Sequence, residues 1–144
     1  MPAVVSYKVD FRSIKKIKRM MDSVSPKQNK AINQNALKKA AYLVQKISTE
    51  EWIVRGRGTK AKPLPDKLSN RTSTLIRSIG VDFSDVGKGS ASVGTNLIYG
   101  AAHEKPSNKS KRRARPFLKP ALEQASPRFD DIYAAELERQ LNLA

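Results

Sequence analysis

The stretch "SPKQNKAINQNALKKAAYLVQKISTEEW", residues 25–52, limits the possible folds most. Ser25 offers a hydroxyl to the orphan amides of a helix start, and Pro26 pre-sets φ at the first helical position. Ile32, Ala36, Ala40, Leu43, Val44 and Ile47 then recur at three-and-four spacing, which is one apolar stripe on a helix. Nothing breaks the pattern before Gly56, so the sequence predicts a helix from about 26 to 53, about 40 Å long at 1.5 Å per residue. In a chain of 144 residues, such a rod must be the element against which the rest packs.

What flanks it alternates between sheet and helix signals. "VVSYKVDF" sets Val5, Tyr7, Val9 and Phe11 at period two, a strand pattern. Asp10 or Ser13 can cap a short helix whose apolar face is Phe11, Ile14, Ile17 and Met21. Thr72–Ser78 reads as a short helix, Val81 and Phe83 as a strand, "SDVGKGS" as a turn and "ASVGT" as the returning strand. A helical turn is expected over Leu97–His103. Pro116 and Pro120 predict a stiff extended approach to a helix over Ala121–Ala125. Ser126-Pro127 repeats the capping signature ahead of Phe129, Ile132, Tyr133, Glu136, Leu137 and Leu141, and one kinked helix or two fits equally. The expected class is α+β: a single domain, 1–144, with the long helix packed on a small antiparallel sheet. Residues 54–70 and 105–115 are expected as exposed basic loops, and 116–144 as a C-terminal arm and helix.

Charge limits the partners. Twenty-eight Lys and Arg against thirteen Asp and Glu leave a formal +15. Such a chain attracts polyanions: nucleic acid, an acidic membrane or an acidic protein. The charge is segregated, with 15 basic and 4 acidic residues over 1–62, 7 and none over 105–119, but 2 and 5 over 120–144. That polarity suits head-to-tail contact between copies. Arg55, Arg57, Lys60, Lys62, Lys109, Lys111, Arg112 and Arg113 are the residues expected to meet DNA or an acidic partner. No aromatic residues interleave with the second basic loop and no recognition helix is evident, so any nucleic-acid contact would be electrostatic and blind to sequence.

Catalysis finds little support. Without cysteine there is no disulfide, thiolate nucleophile or cysteine zinc site. His103-Glu104 lacks the second histidine of a zinc-protease motif, and neither "GKGSASVG" nor "GRGTK" has phosphate-loop spacing. A structural role for the His-Glu pair, no cofactor and no metal are the expectations. No apolar run approaches the roughly 18 residues of a membrane span, and "MPAVVSYKVDFRS" lacks the long apolar stretch typical of a secretory signal.

Three pieces of the chain resemble elements of the tail-completion and head–tail joining proteins of tailed bacteriophages. "NRTSTLIRSI" resembles their "TG-x-L-x-x-SI" element, with Thr74 or Ser73 where glycine is usual. "VGTNLIYGAAHEK" is similar to "VG-(S/T)-N-x-x-YA-x-x-HE-(F)-G", with Gly100 for alanine and Lys105-Pro106 after the His-Glu pair. "RRARPFLKPALEQ" is similar to "(M)PARPFLRPALEE". They occur in order over about residues 70–125. The resemblance implies a small α+β protein of the virion neck, made in the host cytoplasm, which completes the tail or joins it to the head without catalysis. It implies a ring, six-fold by expectation and twelve-fold as the alternative, contacting connector, head-closure, tail-terminator and tail-tube proteins, with DNA in the channel. Arg115, Pro116, Phe117 and Leu118 would form a rigid arm filling an apolar slot in the same subunit or the next, with Tyr99, His103 and Glu104 at its root as part of that interface. A nucleic-acid binder acting through the basic loops is the alternative.

Overall fold

A computed structural model of the chain describes residues 5–11, 14–55, 68–70, 74–104 and 116–143. The order is β1 (Val5–Val9), α1 (Lys15–Asp22), α2 (Pro26–Glu51), β2 (Ile53–Arg55), β3 (Leu68–Asn70), α3 (Thr74–Ser78), β4 (Ile79–Asp82), β5 (Ala91–Thr95), α4 (Ile98–Glu104), α5 (Lys119–Ala125) and α6 (Phe129–Leu143). The long helix is there, and its start is a full capping box. The Gln28 amide donates to the Ser25 hydroxyl at 3.3 Å while the Gln28 side chain accepts from the Ser25 amide at 3.3 Å.

α2 lies between two layers. The sheet, ordered β1-β5-β4 and antiparallel throughout, packs on it from one side, and α5 and α6 from another. Its buried apolar positions are Ile32, Ala36, Leu37, Ala40, Ala41, Val44 and Ile47. Three alanines among them, all with no exposed surface, let neighbouring backbones come close from both sides. The class is therefore α+β as the sequence predicts.

β1 joins the far side of the sheet, pairing Val5 with Thr95 and Val9 with Ala91, so the first strand meets the last. Val5, Tyr7 and Val9 line up with Thr95, Val93 and Ala91 on the core face, and Ile79 and Val81 continue the rows from β4. Gly94 sits between Ser6 and Gly80. A β-carbon there would overlap the Val5 carbonyl oxygen and stand 2.7 Å from Ser6 Cβ, so only glycine lets β1 pair this closely.

Several local expectations need correction. The cap of α1 is Ile14, without a side-chain bond, rather than Asp10; Ser13 lies outside the described residues. The backbone closes that turn instead, with the Ile14 amide donating to the Phe11 carbonyl at 3.1 Å. The ends of the predicted 54–70 loop are strands, β2 and β3 paired in parallel from Ile53 with Leu68 to Arg55 with Asn70, and residues 56–67 lie outside the described set. The turn before β5 contains a 3-10 turn at Val86–Lys88, closed by Gly89 at φ 94°, a left-handed conformation natural to glycine. Pro116–Pro120 is not an extended approach, because Leu118 is already helical at φ −94°, ψ −51° and Pro120 stands in the first turn of α5. There its missing N–H leaves no helical bond unmade. Ser126 does not cap α6. It continues the helical path through a 3-10 step, Ser126–Arg128, and its hydroxyl donates to the Glu123 carbonyl at 3.2 Å.

Candidate functional site

The three sequence elements of the resemblance converge on one buried joint. The first contributes Leu75 and Ser78 from α3, the second Thr95, Leu97, Gly100 and Glu104, the third Phe117 and Leu118. Ser78 Oγ donates to the Leu75 carbonyl at 2.6 Å and lies 2.6 Å from Thr95 Oγ1. Ser78 has one hydroxyl proton, so with that proton on the carbonyl it must accept from Thr95. Thr95 Oγ1 in turn accepts from the Leu97 amide at 3.2 Å, fixing the turn from β5 into α4.

Gly100 is where α4 touches the other two elements. A β-carbon on it would lie 2.8 Å from Leu75 Cδ1, 3.0 Å from Thr95 Cγ2 and 3.6 Å from Phe117 Cζ. Glycine at this position thus lets the helix seat more closely on Leu75 and Phe117. One turn on, the Glu104 carboxylate points at the chain entering α5. Its Oε1 accepts from the amides of Phe117 at 3.0 Å and Leu118 at 2.6 Å, and its Oε2 from Lys119 at 3.3 Å. Tyr7 of β1 donates to Oε2 at 3.5 Å. A carboxylate gathering the free amides that precede a helix satisfies buried donors and meets the positive end of the helix dipole. The Tyr7 hydroxyl is pushed up to about 12 by burial and then by the neighbouring Glu104 charge.

Phe117 and Leu118 have no exposed surface and Glu104 is 5% exposed. Of the two arrangements expected for the arm, a slot in the same subunit or in the next, the single chain forms the first. The apolar slot belongs to the same chain, and a fully buried side chain offers nothing to a neighbour in this conformation. Pro116 is half-buried at the rim. Tyr99 and His103 lie on the backbone of α4 and Arg55 on β2, with side chains outside the described set. Arg57, Lys60, Lys62, Lys109, Lys111, Arg112, Arg113 and Arg115 lie outside the described residues.

A second polar centre emerges with no sequence expectation behind it. Glu136 of α6 is fully buried, and its carboxylate accepts from Asn35 Nδ2 at 3.1 Å, Lys39 Nζ at 2.7 Å, Arg139 Nη2 at 2.7 Å and Gln140 Nε2 at 3.4 Å. Burial alone would raise this carboxyl, but the hydrogen bonds from Arg139, Lys39, Gln140 and Asn35 outweigh it and hold it down at about 2. The signal was available: Phe129, Tyr133 and Glu136 share the three-and-four stripe that faces α2. Nearby, Tyr133 donates to Asn29 Oδ1 at 2.7 Å and packs edge-on against Phe11 at 5.9 Å. The centre ties α6 to α2 through charge.

The described surface carries cations along α1 and α2. Lys15, Lys16, Lys18 and Arg19 are exposed on α1, with Lys16 reaching Asp130 at 3.4 Å. Lys27, Lys30, Lys38, Lys39 and Lys46 are exposed on α2, which carries no acid before Glu50. Among the described residues no group of three or more His, Cys, Asp or Glu could hold a metal ion, and no helix is long and apolar enough to cross a membrane. No protein-family model matches the chain, and neither the curated proteins nor the solved structures give a match.

Proposed function

We propose that this chain is a non-catalytic structural protein of the tailed-phage neck, which completes the tail or joins it to the head connector as a ring of copies. One observation supports this above the others. The three elements that resemble that family, spread over about fifty residues, close on one another in a single joint through Thr95, Gly100 and Glu104. The test is the native mass of the purified chain over a concentration series, alone and mixed with purified connectors or tail tubes of a tailed phage. A ring, alone or on one of those partners, is the expected result. A chain that stays monomeric throughout and binds neither partner sinks the proposal.

A second reading, sequence-independent nucleic-acid binding, draws on the lysines of α1 and α2 described above. Binding of this kind weakens linearly with log salt, in proportion to the phosphates neutralised. The two readings are compatible where the copies meet through other surfaces, because a ring can then present cationic faces to a channel that DNA crosses.

A further inference from the structure

We infer that the solvent face of α2 is a contact surface for single-stranded nucleic acid, with Tyr42 as its stacking platform and Lys27, Lys38 and Lys46 as its phosphate contacts. The inference rests on the second reading above and gives it a location. On a helix of 3.6 residues per turn, positions 27, 38, 42 and 46 fall within about 100° of one another, so they form one stripe. Lys27 and Lys38 stand about 16 Å apart along the axis and Lys38 and Lys46 about 12 Å, at 1.5 Å per residue. The row therefore tracks a backbone for about 28 Å.

Three observations distinguish this stripe from an ordinary solvated face. First, Lys27, Lys38 and Lys46 form no ion pair among the described residues, whereas Lys39, beside them, is taken by Glu136. Second, Tyr42 is 54% exposed between Lys38 and Lys46, four residues from each. An aromatic ring flanked by cations is the arrangement that binds unpaired bases by stacking and their backbone by charge. Third, that ring is held in place: Phe83 meets it edge-on with centroids 5.3 Å apart, and Lys38 Nζ stands 6.0 Å from the Phe83 centroid. A pre-positioned ring loses little entropy when a base stacks on it. The acids beside Phe83 in sequence are Asp82, whose carboxylate accepts from the Ser84 amide at 2.9 Å, and the exposed Asp85. Neither pairs with a lysine of the row.

The experiment is fluorescence anisotropy of a labelled 20-nucleotide single strand and of the matching duplex, across a salt series. The proteins are wild type, Tyr42→Ala and the triple variant Lys27→Gln, Lys38→Gln, Lys46→Gln. Circular dichroism confirms that each variant is folded. Stacking is worth about 1–3 kcal/mol per base, so Tyr42→Ala should weaken single-strand binding by roughly 5- to 150-fold and leave the duplex nearly unchanged. The triple variant should lower the salt slope on the single strand by about 2, at about 0.7 per phosphate lost. Equal loss on both nucleic acids in Tyr42→Ala overturns the stacking platform. Wild-type binding whose slope the triple variant leaves intact overturns the α2 location while the nucleic-acid reading stands. No wild-type binding to either probe at low salt overturns both. Polyglutamate of equal length displacing the single strand as well as unlabelled strand does would assign the face to an acidic protein instead.

Discussion

Replacing Glu104 should cost this fold more than replacing any other charged residue of the joint. In Glu104→Ala the amides of Phe117 and Leu118, both buried, lose their acceptor, and that of Lys119 loses a weaker one at 3.3 Å. A buried donor left unsatisfied costs about 1–3 kcal/mol. Two such donors, with a smaller share for the partly exposed third and for the space left behind, give a loss of about 3–5 kcal/mol. A domain of this size has about 5–15 kcal/mol in all. With a urea dependence near 2 kcal/mol per molar, the midpoint should fall by about 2 M. Glu104→Gln separates geometry from charge. Its Oε1 still accepts from Phe117 and Leu118, but as a neutral group, and its amide nitrogen faces the Lys119 donor. That variant should lose an intermediate amount, about 1–3 kcal/mol.

Tyr7→Phe is the control. It removes the bond to Glu104 at 3.5 Å, at the long edge of a real hydrogen bond, and should cost less than about 1 kcal/mol. Urea unfolding of the three variants followed by circular dichroism gives the order. A loss under about 1 kcal/mol in Glu104→Ala, or a Tyr7→Phe loss equal to it, would refute the carboxylate as the hub of the joint.

Two further perturbations probe the same architecture. Phe117→Ala removes a ring with no exposed surface, so the isolated chain should lose about 3–5 kcal/mol by urea unfolding, and a normal unfolding midpoint would return Phe117 to the interface role. Glu136, held at about 2 against an ordinary 4.5, contributes stability that is fully present above about pH 4.5 and is lost as pH falls toward 2. The depression corresponds to about 3 kcal/mol at most, since Lys39 and Arg139 are half-exposed and screened. In urea midpoints between pH 6 and pH 3, Glu136→Gln should show a shallower fall than wild type, and parallel curves would remove Glu136 from the acid response.

The parts of this fold legible in the sequence are those whose cause is local. The long helix follows from Ser25-Pro26 and its stripe, and the β4–β5 hairpin from alternation on either side of "SDVGKGS". What escaped depends on partners distant in sequence. β1 pairs with β5 across more than eighty residues, a choice no period in either strand encodes. The Glu104 carboxylate gains its meaning from amides thirteen to fifteen residues on, across a basic segment that sequence reading could only mark as loop. Pro116 and Pro120 misled because a proline that stiffens an extended chain is equally at home in a first helical turn.

On the proposed neck reading, the burial of Phe117 and Leu118 changes where an assembly contact is to be sought. These residues complete the core beside Gly100, so a contact that withdrew them would open the joint and forfeit the stability worked out above. The large apolar residues exposed among those described are Tyr42, Ile98 and Leu141, one each on α2, α4 and α6. Apolar residues scattered singly make no hydrophobic patch of the kind that obligate interfaces share. A ring built from these surfaces must therefore be held mainly by polar and charged contact, with the cations of α1 and α2 opposite acids such as Asp131 and Glu138 of α6. Such contacts weaken with salt over a Debye length near 10 Å. Nucleic acid and a neighbouring copy would then compete for the same lysines, which makes the α2 face the point at which the two readings can be told apart.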